Sequence, residues 1–229
     1  DVLGGLSVTI GILAALHNRF YTGRGQMVDV ALVDSAVASL EIINMIYLTE
    51  KRLPERIGNR YESTYPYDSF AAKDDLVIIG AGNDKLWGLL CQVMGRPELV
   101  DHPDFKRTRD RVQNHVKVKQ IVEEWTKTRT VSEIVDQLLA AGIPAAPIYN
   151  IAQVTQDPHI AGAREMFVTL EHPKAGQITI TGPHIKLSET KPTIRTPSPN
   201  LGQHNEEILS SMLGMSPEEI VALAQEGII

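Results

Sequence analysis

The chain has 229 residues, 43% of them hydrophobic and 22% charged, with a formal net charge of −6. That balance supports a real core and excludes a disordered tail or a disulfide-stapled miniprotein. The acidic charge, with no basic cluster, argues against a nucleic-acid partner, and the single cysteine, Cys91, excludes an internal disulfide and fits a reducing, cytoplasmic setting.

The chain opens on Asp1 and enters an apolar helix pattern at once. Leu3, Leu6, Ile10, Leu13, Ala14 and Leu16 make Val2 to about Tyr21 apolar nearly all round, as in a helix buried on a sheet. The run Val2–Leu16, interrupted by Ser7 and Thr9 and lacking a basic leader, is too short to span a bilayer, so a buried helix and no membrane partner are expected. An opening inside a core element reads as the later part of a longer protein. Gly23 is placed to end the helix in the left-handed conformation. Gln26–Leu32 alternates and is rich in Val, which predicts a strand, and about Val33 to Thr49 predicts a second helix. Helix, strand and helix in succession indicate an α/β layered domain.

Residues 50–66 are polar and broken by Pro54 and Gly58, which predicts a linker and loop. Beyond Tyr67 the pattern becomes a compact α/β segment: a buried strand at Leu76–Gly80, helices at Asp84–Met94, Val112–Lys127 and Val131–Ala141, and a strand at Ala145–Tyr149. A short helix is expected over 151–162, then strands at Phe167–Leu170 and Gln177–Thr181. Residues 189–200 read as an extended Pro- and Thr-rich loop. Helices at Gln203–Leu213 and Pro217–Gln225 close the chain, the last capped by Ser216.

Asp1 carries two readings. It is a preferred capping residue at a positive helix end. It is also a carboxylate beside free backbone N–H groups, where Gly4 and Gly5 would let a ligand approach the backbone and where a developing oxyanion could be held. Gly80-Ala81-Gly82-Asn83 follows a buried strand, as ligand-binding turns often do, but it is not a phosphate-loop motif and a structural turn explains it better than direct contact. The seven histidines are scattered without metal-site spacing. Helix capping or domain docking accounts for His204, packing for Cys91, Trp87 and Trp125, and turns or caps for Asp29 and Asp34.

An ordered series of motifs decides more than any single residue. Asp1 and its Gly-rich helix start are followed by GILAAL (Gly11–Leu16), TGRGQ with the strand-like run to Leu32, GN (Gly58, Asn59) and VIIGAGNDKLW through Cys91. Then come GRPEL and HPDF (Gly95–Phe105), AAGIPAAPI (Ala140–Ile148), DP (Asp157, Pro158) and LGQH (Leu201–His204). This series resembles the family III CoA-transferases, which include formyl-CoA, carnitine-CoA and bile-acid-CoA transferases and the α-methylacyl-CoA racemases, and it covers essentially the whole chain.

The resemblance implies an α/β fold in which residues 1–50 are a remnant of a large Rossmann-like domain. Residues 51–61 would be a linker, 62–150 an inserted small α/β domain, and 151–229 a segment returning to the large domain, within an interlocked homodimer. It implies that Asp1 is the catalytic nucleophile of an acyl-CoA:carboxylate transfer through an aspartyl-CoA thioester. A CoA thioester and a carboxylic acid would be the substrates, with no permanently bound cofactor and no metal. The loop Gly58-Asn59-Arg60 to Tyr65 is its implied substrate-binding and shielding loop, although it lacks a run of glycines. Gly4 and Gly5 would lie against CoA, whose other contacts would lie upstream of residue 1. The racemase relatives carry an acidic group where Asn83 stands; an amide cannot exchange a proton, which favours transfer. A racemase-like isomerase and a non-catalytic dimerisation fragment are the alternatives, and a chain without its upstream half is expected to be inactive by itself.

Overall fold

Helix α1 spans Val2–Thr22, and its end is closed by Gly23 at φ 71°, whose N–H donates to Arg19 O at 2.8 Å. The computed structural model describes residues 1–229, which divide into two units: residues 1–73 with 78–145, and residues 74–77 with 146–229. The expected burial of α1 is corrected here. Only Gly4 of this helix is buried, while Ile10, Leu13, Leu16 and Phe20 are exposed. The helix also runs on to Thr22, so its 21 residues are long and apolar enough by composition to cross a membrane, contrary to the shorter run read from sequence.

The strand expected over Gln26–Leu32 does not form. Its backbone has no ladder partner, and alternation alone cannot make a strand without a neighbour to hydrogen-bond. The segment instead runs extended back along α1. A Cβ on Gly11 would meet Val28 Cγ1 at 2.7 Å, and one on Gly4 would meet Leu32 Cδ2 at 2.5 Å. The seven-residue separation on the helix, about 10 Å of rise, is spanned by four residues of nearly extended chain, about 13 Å. The two glycines therefore set the approach of this segment to the helix.

The single helix predicted over Val33–Thr49 is two: α2 (Leu32–Ala38) and α3 (Glu41–Glu50), bent by 73°. Glu41 takes φ 43°, and Asn44 Nδ2 donates to Val37 O at 2.8 Å across the break. A side-chain donor there replaces a backbone donor, so the apolar period continues while the helix axis turns.

Strands β1 (Tyr67–Ala71), β2 (Leu76–Gly80) and β3 (Ala145–Pro147) form a sheet in the order β1-β2-β3. Helices α4 (Asp84–Val93), α5 (Thr108–Gln113), α6 (His115–Thr126) and α7 (Val131–Ala140) lie in the first unit. Phe70, Ile79, Trp87, Leu90, Val118, Val122, Ile134 and Leu138 are its fully buried core, with Cys91 packed among them. Helix α6 is tied to β1 at both polar ends of one residue: Thr126 Oγ1 donates to Ala71 O at 2.6 Å, and Ala71 N donates to Glu123 Oε1 at 3.3 Å. The helix predicted over Val112–Lys127 begins at Thr108 and breaks at Asn114, whose amide donates to Asp110 O and Asp104 O.

The second unit holds α8 (Ile151–Gln156), a π-helical turn at Pro158–Ala163, the antiparallel pair β4 (Phe167–His172) and β5 (Gly176–Thr181), and helices α9 (Asn205–Leu213) and α10 (Pro217–Gln225). In the hairpin Phe167 faces Thr181 and His172 faces Gly176. The one helix expected over 151–162 is divided at Asp157. Its carboxylate accepts from His159 N at 2.9 Å and Ile160 N at 2.8 Å, starting a new turn before Pro158 could continue the old one.

Candidate functional site

Asp1 stands at the N-cap position of α1, and its carbonyl accepts from Gly5 N at 2.7 Å. Its side chain makes no capping hydrogen bond, so the carboxylate is exposed and uncommitted. The two neighbouring glycines differ in what they do. Gly4 is buried against Leu32, so its missing side chain serves packing, whereas a Cβ on Gly5 would meet nothing within 4 Å. Open backbone beside the carboxylate is thus at Gly5 and not at Gly4. A helix start of this kind offers N–H donors and a positive dipole end to an anionic group.

The loop singled out from sequence is used in several ways. Gly58 turns the chain at φ 72°, and Asn59 Nδ2 donates to Ser69 Oγ at 3.2 Å. Arg60 is half-buried and makes no hydrogen bond or ion pair. Tyr65 is a core residue, fully buried, with its hydroxyl 3.5 Å from Asp68 Oδ2 and its acidity weakened chiefly by burial. Its side chain has no free face for a substrate in this chain, in contrast to its expected place in a substrate loop.

Arg111 is the residue that sequence reading missed. It is fully buried and donates from Nε to Tyr65 O (2.8 Å), from Nη1 to Phe105 O (2.8 Å) and from Nη2 to Gly82 O (2.8 Å) and Asp84 Oδ1 (2.9 Å). Its guanidinium also lies 5.5 Å from the Trp87 ring centre. One side chain therefore holds the end of the 58–65 loop against the Gly80-Ala81-Gly82-Asn83 turn. Nothing in the polar run Arg107 to Gln113 marks which of its three arginines turns inward, because the cue is a set of carbonyls brought from distant positions.

The turn itself is spent on structure. Gly80 N donates to Pro144 O and Ala81 N to Pro66 O, both at 2.8 Å, and a Cβ on Gly82 would collide with Thr64 Oγ1. Asn83 Oδ1 accepts from Leu86 N at 2.8 Å as the N-cap of α4. Cys91 is inert where it sits, its thiol pushed up to about 12 by burial.

The profile of CoA-transferase family III matches residues 1–205, nine-tenths of the chain. The chain belongs to CoA-transferase family III. Among family III relatives it is 39% identical over 211 residues to the succinyl-CoA:mesaconate CoA-transferase of Haloarcula hispanica, covering 91% of this chain and 52% of that protein. It is 31% identical over 229 residues to the human succinyl-CoA:glutarate CoA-transferase, covering all of this chain and 52% of that one. The crystal structure of a CaiB/BaiF family protein from Brucella suis superposes with a TM-score of 0.70 at 31% identity, over 91% of this chain and 53% of that one. The chain thus spans about half the length of the family III proteins it matches.

Proposed function

We propose that the protein containing this chain transfers coenzyme A between carboxylic acids, with Asp1 as nucleophile. The observation that carries this reading is the Asp1 carboxylate: it occupies the start of α1 beside open backbone at Gly5, yet spends no oxygen on capping. A carboxylate oxygen of Asp1 attacks the thioester carbonyl, the carbon–sulfur bond breaks, and CoA thiolate leaves from a mixed anhydride. The thiolate then attacks the aspartyl carbonyl, releasing the donor acid and leaving an aspartyl-CoA thioester. The incoming carboxylate attacks that thioester, and the reverse steps deliver the new acyl-CoA and regenerate Asp1. N–H groups at the helix start supply donors for the oxyanion that develops at each attack. The names of the mesaconate and glutarate relatives support short dicarboxylic acids as the acid partner.

Asn83 supports transfer over racemisation, because its amide is engaged as a helix cap and has no proton to exchange near neutrality. A racemase would wash the α-proton of an acyl-CoA into deuterated solvent; the transferase would not. The reading includes a large Rossmann-like domain contributed by residues 1–50 and 151–229 with 62–150 inserted, a homodimer in the cytoplasm, and CoA present only as substrate. The deciding experiment is hydroxylamine trapping during turnover of the whole protein with succinyl-CoA. A hydroxamate on the peptide holding Asp1 is expected, and its absence during active turnover would remove Asp1 from the mechanism.

A further inference from the structure

The hairpin of β4 and β5 is closed at its tip by a side chain. His172 ends β4 and pairs with Gly176, which leaves Pro173, Lys174 and Ala175 as the turn. Pro173 has no N–H, so Lys174 and Ala175 carry the first amides that the turn must satisfy. Both converge on one ring nitrogen: Lys174 N donates to His172 Nδ1 at 3.1 Å and Ala175 N donates to it at 3.0 Å. His102 repeats the arrangement before Pro103 with a single bond, from Asp104 N at 3.2 Å. The contacts of His172 reach only two and three residues along the chain, so they belong to the hairpin itself, whatever packs against it.

Accepting these bonds commits the Nδ1 lone pair and places the ring proton on Nε2. A proton taken from solvent by Nδ1 turns that acceptor into a donor facing two other donors. Both hydrogen bonds are then lost, and three N–H groups point at one another in the turn. We propose that this turn is a proton-sensitive latch, closed by neutral His172 and released when the ring is protonated. Among the charged groups around it, Glu171 faces the opposite side of β4 and accepts from Gln177 Nε2 at 3.2 Å. Lys174 adds a second positive charge to the turn once the ring is protonated. At the far end of the hairpin, the segment 183–194 brings Lys186 and Lys191 beside Phe167 and Thr169, and Lys191 pairs with Glu165 at 2.9 Å. The latch is shut at about pH 8 and opens towards about pH 5, across the window in which histidine changes charge.

Hydrogen–deuterium exchange of the whole protein, corrected for intrinsic exchange rates, tests the latch. Protection of the peptide holding Lys174 and Ala175 should fall about tenfold between about pH 8 and about pH 5. The peptide holding β2 should keep its protection over the same range. His172→Asn offers a side-chain carbonyl oxygen that accepts at every pH, so its turn should stay protected throughout. His172→Ala should expose the turn at both ends of the range, and Glu171→Gln should keep the wild-type pH dependence. Constant protection of the wild-type turn, or an equal loss in β2, would overturn the proposal. So would a pH dependence that persists in His172→Asn or disappears in Glu171→Gln. If His172→Ala fails to fold, the comparison of the wild type with His172→Asn decides the matter without it.

Discussion

At the scale of single residues, the side chain that ties together the most of the first unit serves structure alone. Arg111 converts four acceptors from separate stretches of chain into one rigid junction, and Asp84 balances its charge from the surface side. Burial lowers the Arg111 guanidinium from its ordinary value, while the hydrogen bond to Asp84 opposes that fall. For Asp84, burial acts upward but is outweighed by the hydrogen bonds from Arg111 and Thr108, leaving the carboxyl below its ordinary 3.8. A carboxyl depressed on folding contributes stability in full above its unfolded value and loses it as pH falls through the folded one. Asp84→Asn should therefore be less stable than the wild type near neutrality, and the gap should narrow as the pH drops below about 4. Urea unfolding midpoints of both proteins across that range would show it; a gap constant with pH would mean that the ion pair contributes nothing.

At the scale of elements, legibility followed the range of the interactions that define each one. Helix α7 was readable because its stop and start signals are local: Thr130 Oγ1 accepts from Glu133 N, and Glu133 returns a carboxylate oxygen to Thr130 N at 2.8 Å. Ser216 and Glu219 make the same reciprocal cap on α10, and β2 was readable as a short apolar run. Gln26–Leu32 misled because a period of two describes any extended chain laid on a helix as well as a strand in a sheet. The breaks at Glu41, Asn114 and Asp157 were hidden for a related reason. Each is marked by a side chain answering a backbone group three to seven residues away, Asn44 at Val37 O, Asn114 at Asp110 O and Asp157 at Ile160 N, while the apolar period runs through undisturbed. In the candidate site, cap and nucleophile stayed open for Asp1 on position alone, and only its placement at the helix start was legible. The buried state of Tyr65 and the junction at Arg111 were not, since both depend on partners far along the chain. The local cap gives a clean test: Thr130→Ala should cost about 1 kcal/mol in chemical denaturation. Thr130→Ser, which keeps the hydroxyl, should recover most of that loss, and equal losses in the two variants would show that packing of the Thr130 methyl matters more than the cap.

At the scale of the whole molecule, polar and apolar burial are unevenly shared. The core residues from Tyr65 to Ile143 are enclosed, whereas the first 50 residues present Ile10, Leu13, Phe20, Val33, Ile43 and Leu48 to solvent. Contiguous apolar helix surface of this kind seeks cover, from protein or from an interface, because about 25 cal/mol is gained per Å² removed from water. Helix α1 meets the length and composition of a membrane span, but it carries His17, Asn18 and Arg19 and is seated through Gly4 and Gly11 on its own downstream segment. Those glycine contacts fix one face of α1 against protein, which favours protein cover for the remainder. The 229-residue chain should accordingly self-associate as its concentration rises, with a growing weight-average mass in sedimentation equilibrium. Leu13 and Phe20, 60% and 83% exposed, touch the surface rather than the seat on Val28 and Leu32. Replacing both with Lys should shift the mass towards monomer without loss of helical circular dichroism, since Lys is as good a helix former as Leu and better than Phe. A chain that stays monomeric at every concentration, or variants that associate as the parent does, would place the driving surface elsewhere than on α1.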